Sequence, residues 1–182
     1  IPDTDSQGNT LTKKQREFFN DSKVVDENGK LKVVYHGTTN PGFTIFDDTK
    51  RKAYFTTDNL EVAKGYQQHR DYKNIYKGYL NLKNPLIVDG QEKRWINLPK
   101  QNIKNSLNLS KEQLDKVYEE VFGEPRMLGS SPQDITLMAL ASNKFGYTNF
   151  DGVIVNNVYD DLQSDKRNLG NDYIFFKANQ FK

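Results

Sequence analysis

The sequence predicts an α+β fold: two packed, mostly antiparallel β-sheets with helices at their periphery. Three observations lead there. Short apolar strand segments recur along the chain, three or four capped helical segments are inserted between them, and no internal repeat organises either kind. At 182 residues the chain is long enough for one hydrophobic core and too short for two. That core must lean on aromatic rings, because Tyr and Phe number 10 and 11 while all hydrophobic residues together make up only 35%.

The first ten residues, with Asp3, Asp5, Ser6, Gly8 and Asn9, have the composition of a linker, and the start at Ile1 reads as a domain cut from a longer protein. Residues 11–182 are the expected domain, a monomer. Thr12 and Gln15 form a capping box for a short helix that presents Phe18 and Phe19. Val24-Val25 and Leu31 to His36 flank the turn signal Asn28-Gly29 and make a hairpin, whose second strand ends at His36-Gly37-Thr38-Thr39. After Asn40-Pro41-Gly42, Ala53 to Thr56 is a short strand, and Asp58 is the expected N-cap of a helix through Val62, Ala63 and Tyr66. Ile75 to Leu82 alternates as a strand, and Pro85 divides it from Leu86-Ile87-Val88.

From Asp89 to Leu109 the pattern is weak. Ser110 and Gln113 then cap a helix with Leu114, Val117, Tyr118, Val121 and Phe122 on one face and Gly123 as its stop. Pro132, in a first helical turn, opens another that carries Ile135, Met138, Leu140 and Ala141 to Gly146. Two buried strands, Asp151 to Val155 and Tyr173 to Phe176, complete the chain on either side of a polar stretch from Asp160 to Gly170.

Composition removes several kinds of chemistry. The chain has no cysteine, which excludes disulfides, Cys-ligated zinc, iron-sulfur clusters and thiol nucleophiles. His36 and His69 are its only histidines, so no metal is expected; a carboxylate-only calcium site stays open, although no EF-hand loop is present. Neither a Gly-x-Gly-x-x-Gly fingerprint nor a nucleophile elbow occurs. The net charge of +2 is interspersed and neither demands nor excludes a nucleic-acid target. No apolar run approaches the roughly 20 residues that span a bilayer, and the opening residues are polar, without the basic and apolar regions of a signal peptide. A soluble protein away from the membrane is expected, cytoplasmic or delivered into a target cell.

Three motifs could carry chemistry. His36 ends a strand immediately before Gly37, where the backbone can approach a ligand closely and an imidazole can bond a sugar hydroxyl. Taken alone it reads equally well as an ordinary histidine before a turn. Tyr54-Phe55-Thr56-Thr57-Asp58 with Val62-Ala63-Lys64-Gly65-Tyr66 is by itself a strand, cap and helix whose aromatics fill the core, or else two tyrosines that sandwich a planar ligand. Asp172, just ahead of an apolar strand, is usually a turn residue; if that strand lines a pocket, its carboxylate can stabilise developing positive charge.

In this order the three motifs resemble the ADP-ribosyltransferases of the diphtheria toxin and poly(ADP-ribose) polymerase class, and more closely those of phage and mobile-element polyvalent proteins. The matching segments are Ser22 to Gly29, His36-Gly37-Thr38, Tyr54 to Asp58, Ala63 to Tyr66, Asp151-Gly152-Val153 and Tyr173 to Gln180. They span roughly Leu11 to Lys182; residues 91–132 have no assigned counterpart.

The resemblance implies a split β-sandwich that takes NAD+ as substrate. His36 would bond the ribose 2′-hydroxyl, the Gly37 backbone would hold the nicotinamide amide, and Tyr54 and Tyr66 would flank the nicotinamide ring, with Thr38 and Phe55 beside them. Asp172 stands where the polymerases carry Glu, one methylene shorter, and would stabilise the oxocarbenium-like sugar; Asp151 is the first substitute to consider. The implied activity is transfer of one ADP-ribose to a macromolecular acceptor, protein or nucleic acid, by a toxin or phage effector. NAD+ hydrolysis and non-catalytic NAD+ or ADP-ribose binding are the alternatives. Asp47 to Lys52, or Asp160 to Lys166, could select the acceptor.

Overall fold

The computed structural model describes residues 1–38, 52–69, 74–123, 131–160 and 168–182. Within them lie strands β1 (Val34–Thr38), β2 (Tyr54–Thr57), β3 (Asn74–Gly78), β4 (Pro85–Arg94), β5 (Gly152–Tyr159) and β6 (Leu169–Phe175). The helices are α1 (Lys13–Phe18), α2 (Leu60–His69), α3 (Lys100–Leu107), α4 (Lys111–Phe122) and α5 (Pro132–Lys144). The chain is α+β, as its pattern predicts.

The described strands are hydrogen-bonded in the order β3-β1-β2-β6-β5-β4. Neighbours are antiparallel except β4 and β5, which are parallel. Where the sequence suggests two packed sheets, these strands follow one ladder with a marked seam. Strands β1 and β3 pair from Val34↔Gly78 to Thr38↔Asn74, and β2 pairs with β6 from Tyr54↔Phe175 to Thr57↔Asp172. Between β1 and β2 the register is the single pair Tyr35↔Thr57.

Both faces of the ladder are covered. On one, Leu86, Val88, Val153, Val155 and Ile174 pack with Ile103, Leu107, Val117, Ile135 and Met138 from α3, α4 and α5. On the other, Val34, Tyr54, Ile154, Tyr173 and Phe175 pack with Val24, Leu80 and Leu82. Each fully buried side chain of this kind contributes about 1.5–3 kcal/mol.

The capping residues act as the sequence predicts. Thr12 with Gln15 and Ser110 with Gln113 form reciprocal capping boxes, Pro132 opens α5, and Gly123 ends α4 in the left-handed region at φ 73; a third box, Ser131 with Asp134, adds to these. Helix α2 departs from the prediction. Its cap is Asn59, whose Oδ1 accepts from Glu61 N at 2.9 Å. Asp58, the expected cap, is engaged by residues from elsewhere in the fold. Helix α3 carries no side-chain cap at Pro99 and was not legible in the sequence. Strand β4 runs six residues past Val88 to Arg94, across a bulge in which Gln91 and Glu92 take positive φ.

The opening residues also differ from their composition. The segment read as a linker folds back on the body: Thr4 bridges Thr10, Ser6 N donates to Leu31 O, and Leu11 is buried with Phe19 and Leu31. Its anchor is Asp5, 0% exposed. The Asp5 carboxylate accepts from Gln7 N, Asn9 N, Asn9 Nδ2 and Tyr79 Oη. A buried carboxylate so surrounded replaces the apolar anchor that the segment lacks.

Candidate functional site at the seam between β1 and β2

Strands β1 and β2 part after Tyr35↔Thr57, and His36 stands at that opening. It is 8% exposed, and its Nδ1 lies 2.7 Å from Phe55 O of β2. A carbonyl oxygen only accepts, so Nδ1 carries the hydrogen. In this tautomer the imidazole has Nε2 as its acceptor, the form that can receive a sugar hydroxyl. The imidazole thus supplies to β2 a hydrogen bond that a continued ladder would have drawn from the β1 backbone. Gly37 follows at the same opening, opposite Ile75 of β3. The side chain of Thr38 lies outside the described residues.

Along β2 the predicted site residues divide between the two faces of the pleat. Tyr54 is 3% exposed, and its ring stacks on Phe175 at 5.0 Å and 26° within the core. At this exposure the Tyr54 ring belongs to the core and not to an open surface. Phe55 points to the other side and is 42% exposed. The Tyr66 backbone is on α2, which packs against β1, β2 and β3; its side chain, like that of His69, lies outside the described residues. Of the proposed acceptor segments, Asp47 to Lys52 and Asp160 to Lys166, all but Lys52 and Asp160 lie outside the described residues as well.

Asp172 lies within β6, not ahead of it, paired with Thr57 on one side and Val155 on the other. It is therefore two strand spacings from β1, roughly 10 Å. It shares a face with Thr57 and Val155, opposite to that of Tyr54. The residue is 3% exposed, and among the described residues its Oδ2 accepts no hydrogen bond. Burial pushes its pKa well above the usual carboxylate range, and the negative charges of Asp160 and Asp58 push the same way.

Beside Asp172 is a polar cluster that no sequence motif announces. Lys32 Nζ lies 3.0 Å from Asp58 Oδ2 and donates to Tyr173 Oη at 3.0 Å. Asn171 donates its backbone N to Asp58 Oδ1 at 2.9 Å and its side-chain Nδ2 to Asp58 Oδ2 at 2.6 Å. Burial, with Asp58 alongside, raises the Tyr173 phenol above its ordinary range, so it stays protonated. The only sequence signal for this cluster was Asp58 itself, and it was assigned to a helix cap. Asp151 is remote from this chemistry: its carboxylate accepts from Lys83 N and Asn84 N and builds the turn before β4.

The arrangement offers a hydrogen-bond acceptor at the seam, an exposed ring, and a buried carboxyl group with an unsatisfied oxygen. Such a set can hold a polar ligand and stabilise positive charge on it. Among known families, the chain matches the model described as ADP-ribosyltransferase in polyvalent proteins over residues 26–182. No curated protein and no solved structure matches it.

Proposed function

The chain belongs to the family of ADP-ribosyltransferases in polyvalent proteins, and we propose that it uses NAD+ to modify a macromolecular acceptor with a single ADP-ribose, as a toxin or phage effector. The bond from nicotinamide nitrogen to ribose C1′ breaks with both electrons leaving on nicotinamide, which departs neutral. The resulting oxocarbenium is captured by an acceptor lone pair, and the acceptor proton is lost to a base.

On this reading His36 accepts the ribose hydroxyl through Nε2, the Gly37 backbone holds the carboxamide, and Phe55, Thr38 and Tyr66 surround the nicotinamide, with Tyr54 supporting β2 from the core behind them. Asp172 faces the developing cation. The observation that carries the proposal is the buried Oδ2 of Asp172, without a hydrogen bond among the described residues in a central strand. Such an oxygen costs stability, about 1–3 kcal/mol, and a fold retains that cost where function requires it.

The experiment is incubation with NAD+ labelled in its adenosine moiety. Nicotinamide release with label on protein or nucleic acid is the expected result. Release with label only in free ADP-ribose would mean hydrolysis. Measurable NAD+ binding without release above buffer would leave a non-catalytic binding module.

A further inference from the structure

We propose that Asn171 is a positioning residue that aims Asp172, by bracing a bulge in β5 against Asp58; the proposal rests on the assignment of Asp172 made above. Strands β5 and β6 pair at Val155↔Asp172 and next at Val158↔Gly170. Regular antiparallel pairing would set residue 157 opposite Gly170, so β5 carries one extra residue beside Asp172. Asn156 and Asn157 together face Asn171, and Asn157 takes the left-handed conformation at φ 53. A bulge strips the ladder of a partner and turns the side chains next to it.

Asn171 replaces what the ladder loses. Its Oδ1 accepts from Asn157 N at 3.0 Å, while its Nδ2 and backbone N are held by the two oxygens of Asp58. Its own carbonyl accepts from Asp58 N at 3.3 Å. All four polar groups of Asn171 are thus engaged, and Lys32 holds Asp58 from the far side. The bulge is also locked from β4, where a Cβ on Gly90 would stand 2.8 Å from the carbonyl oxygens of both Asn156 and Asn157. Asp172 is the next residue along β6, so its backbone direction follows from how Asn171 is clamped. The groups that face it are Asp160 and Asp58, with Lys32 and Tyr173 behind Asp58.

The test is steady-state nicotinamide release from NAD+ by the wild type, Asn171→Ala, Asn171→Asp and Asp172→Ala, with folding checked by circular dichroism. Asn171→Asp is isosteric and retains the acceptor for Asn157 N, but turns a carboxylate against Asp58, so the test does not depend on the alanine variant folding. Displacing a reacting group slightly costs up to about 100-fold in rate. Both Asn171 variants are expected to lose about 10- to 100-fold in kcat, with KM for NAD+ within about twofold. The acid limb of their pH profile should also move, because Asp172 shifts relative to the charges of Asp160 and Asp58. An unchanged kcat and pH profile in a folded Asn171 variant, while Asp172→Ala is inactive, would overturn the positioning role alone. An active Asp172→Ala would overturn the assignment of Asp172 and the positioning role with it.

Discussion

The charge of Asp160, the residue that follows β5, acts on the buried carboxyl group of Asp172 within β6. That charge, together with the burial of Asp172 and the charge of Asp58, favours the protonated form of Asp172.

This sets the direction of the pH dependence. If turnover needs Asp172 ionised, it rises with pH through the raised Asp172 pKa, so the acid limb lies above that of an ordinary carboxylate. Asp160→Asn removes the like charge and should shift the limb toward lower pH. The check is kcat/KM for nicotinamide release against pH for the two proteins; identical profiles would refute it.

Stability should move the opposite way from activity at Asp172. A carboxyl group whose pKa is raised on folding contributes stability below its unfolded pKa, and that contribution is lost as pH rises through the folded pKa. Asp172→Asn is therefore expected to raise Tm at pH 8 more than at pH 4, by about 2–4 °C for each kcal/mol relieved, while nicotinamide release falls at least about 100-fold. Equal Tm changes at both pH values would argue against a buried, strained carboxyl group.

Asp5 is the converse case. Burial pushes its pKa up, but the hydrogen bonds from Tyr79, Asn9 and Gln7 outweigh it and hold the carboxyl below its usual range. Its contribution is present above the unfolded pKa and lost as pH falls through the folded one. Asp5→Ala leaves the donors around it unmatched and should cost about 1–3 kcal/mol at neutral pH, with the penalty shrinking in acid. Urea denaturation at two pH values measures this; no loss would return the opening residues to the status of a linker.

His36 separates architecture from chemistry. Its Nδ1–H satisfies Phe55 O across the seam, and the amide of Asn reaches in a similar direction but offers no equivalent of Nε2. His36→Asn should keep Tm near the wild type yet lose nicotinamide release. His36→Ala should lose both, with about 1–3 kcal/mol of stability for the carbonyl left unmade. A turnover-competent His36→Asn would remove Nε2 from the proposed chemistry.

Local signals in the sequence carried much of the fold. The capping boxes at Thr12 and Ser110 were legible because a cap and its partner are three residues apart. So were the hairpin turn at Asn28-Gly29 and the apolar runs in β5 and β6. Helix α3 and the extension of β4 were not, because Pro99 offers no capping side chain and the β4 bulge breaks the period on which strand recognition depends. Asp58 was misassigned for a related reason: an acidic residue before a helix suggests a cap, and only the arrival of Lys32 and Asn171 from 26 and 113 residues away gives it other partners.

The sequence by itself determined the α+β class and the order of the motifs, since these rest on residue type and spacing along the chain, and its resemblance to a known family singled out His36 and Asp172 as the groups to watch. Tertiary structure decided the rest. The seam at Tyr35↔Thr57, the bond from His36 to Phe55, the burial of Tyr54 on Phe175 and the meeting of Asp160, Asp172 and Asn171 arise from which strands lie side by side. Register is a property of pairs of strands, set by how two distant segments bury their apolar faces together, and no single segment contains it.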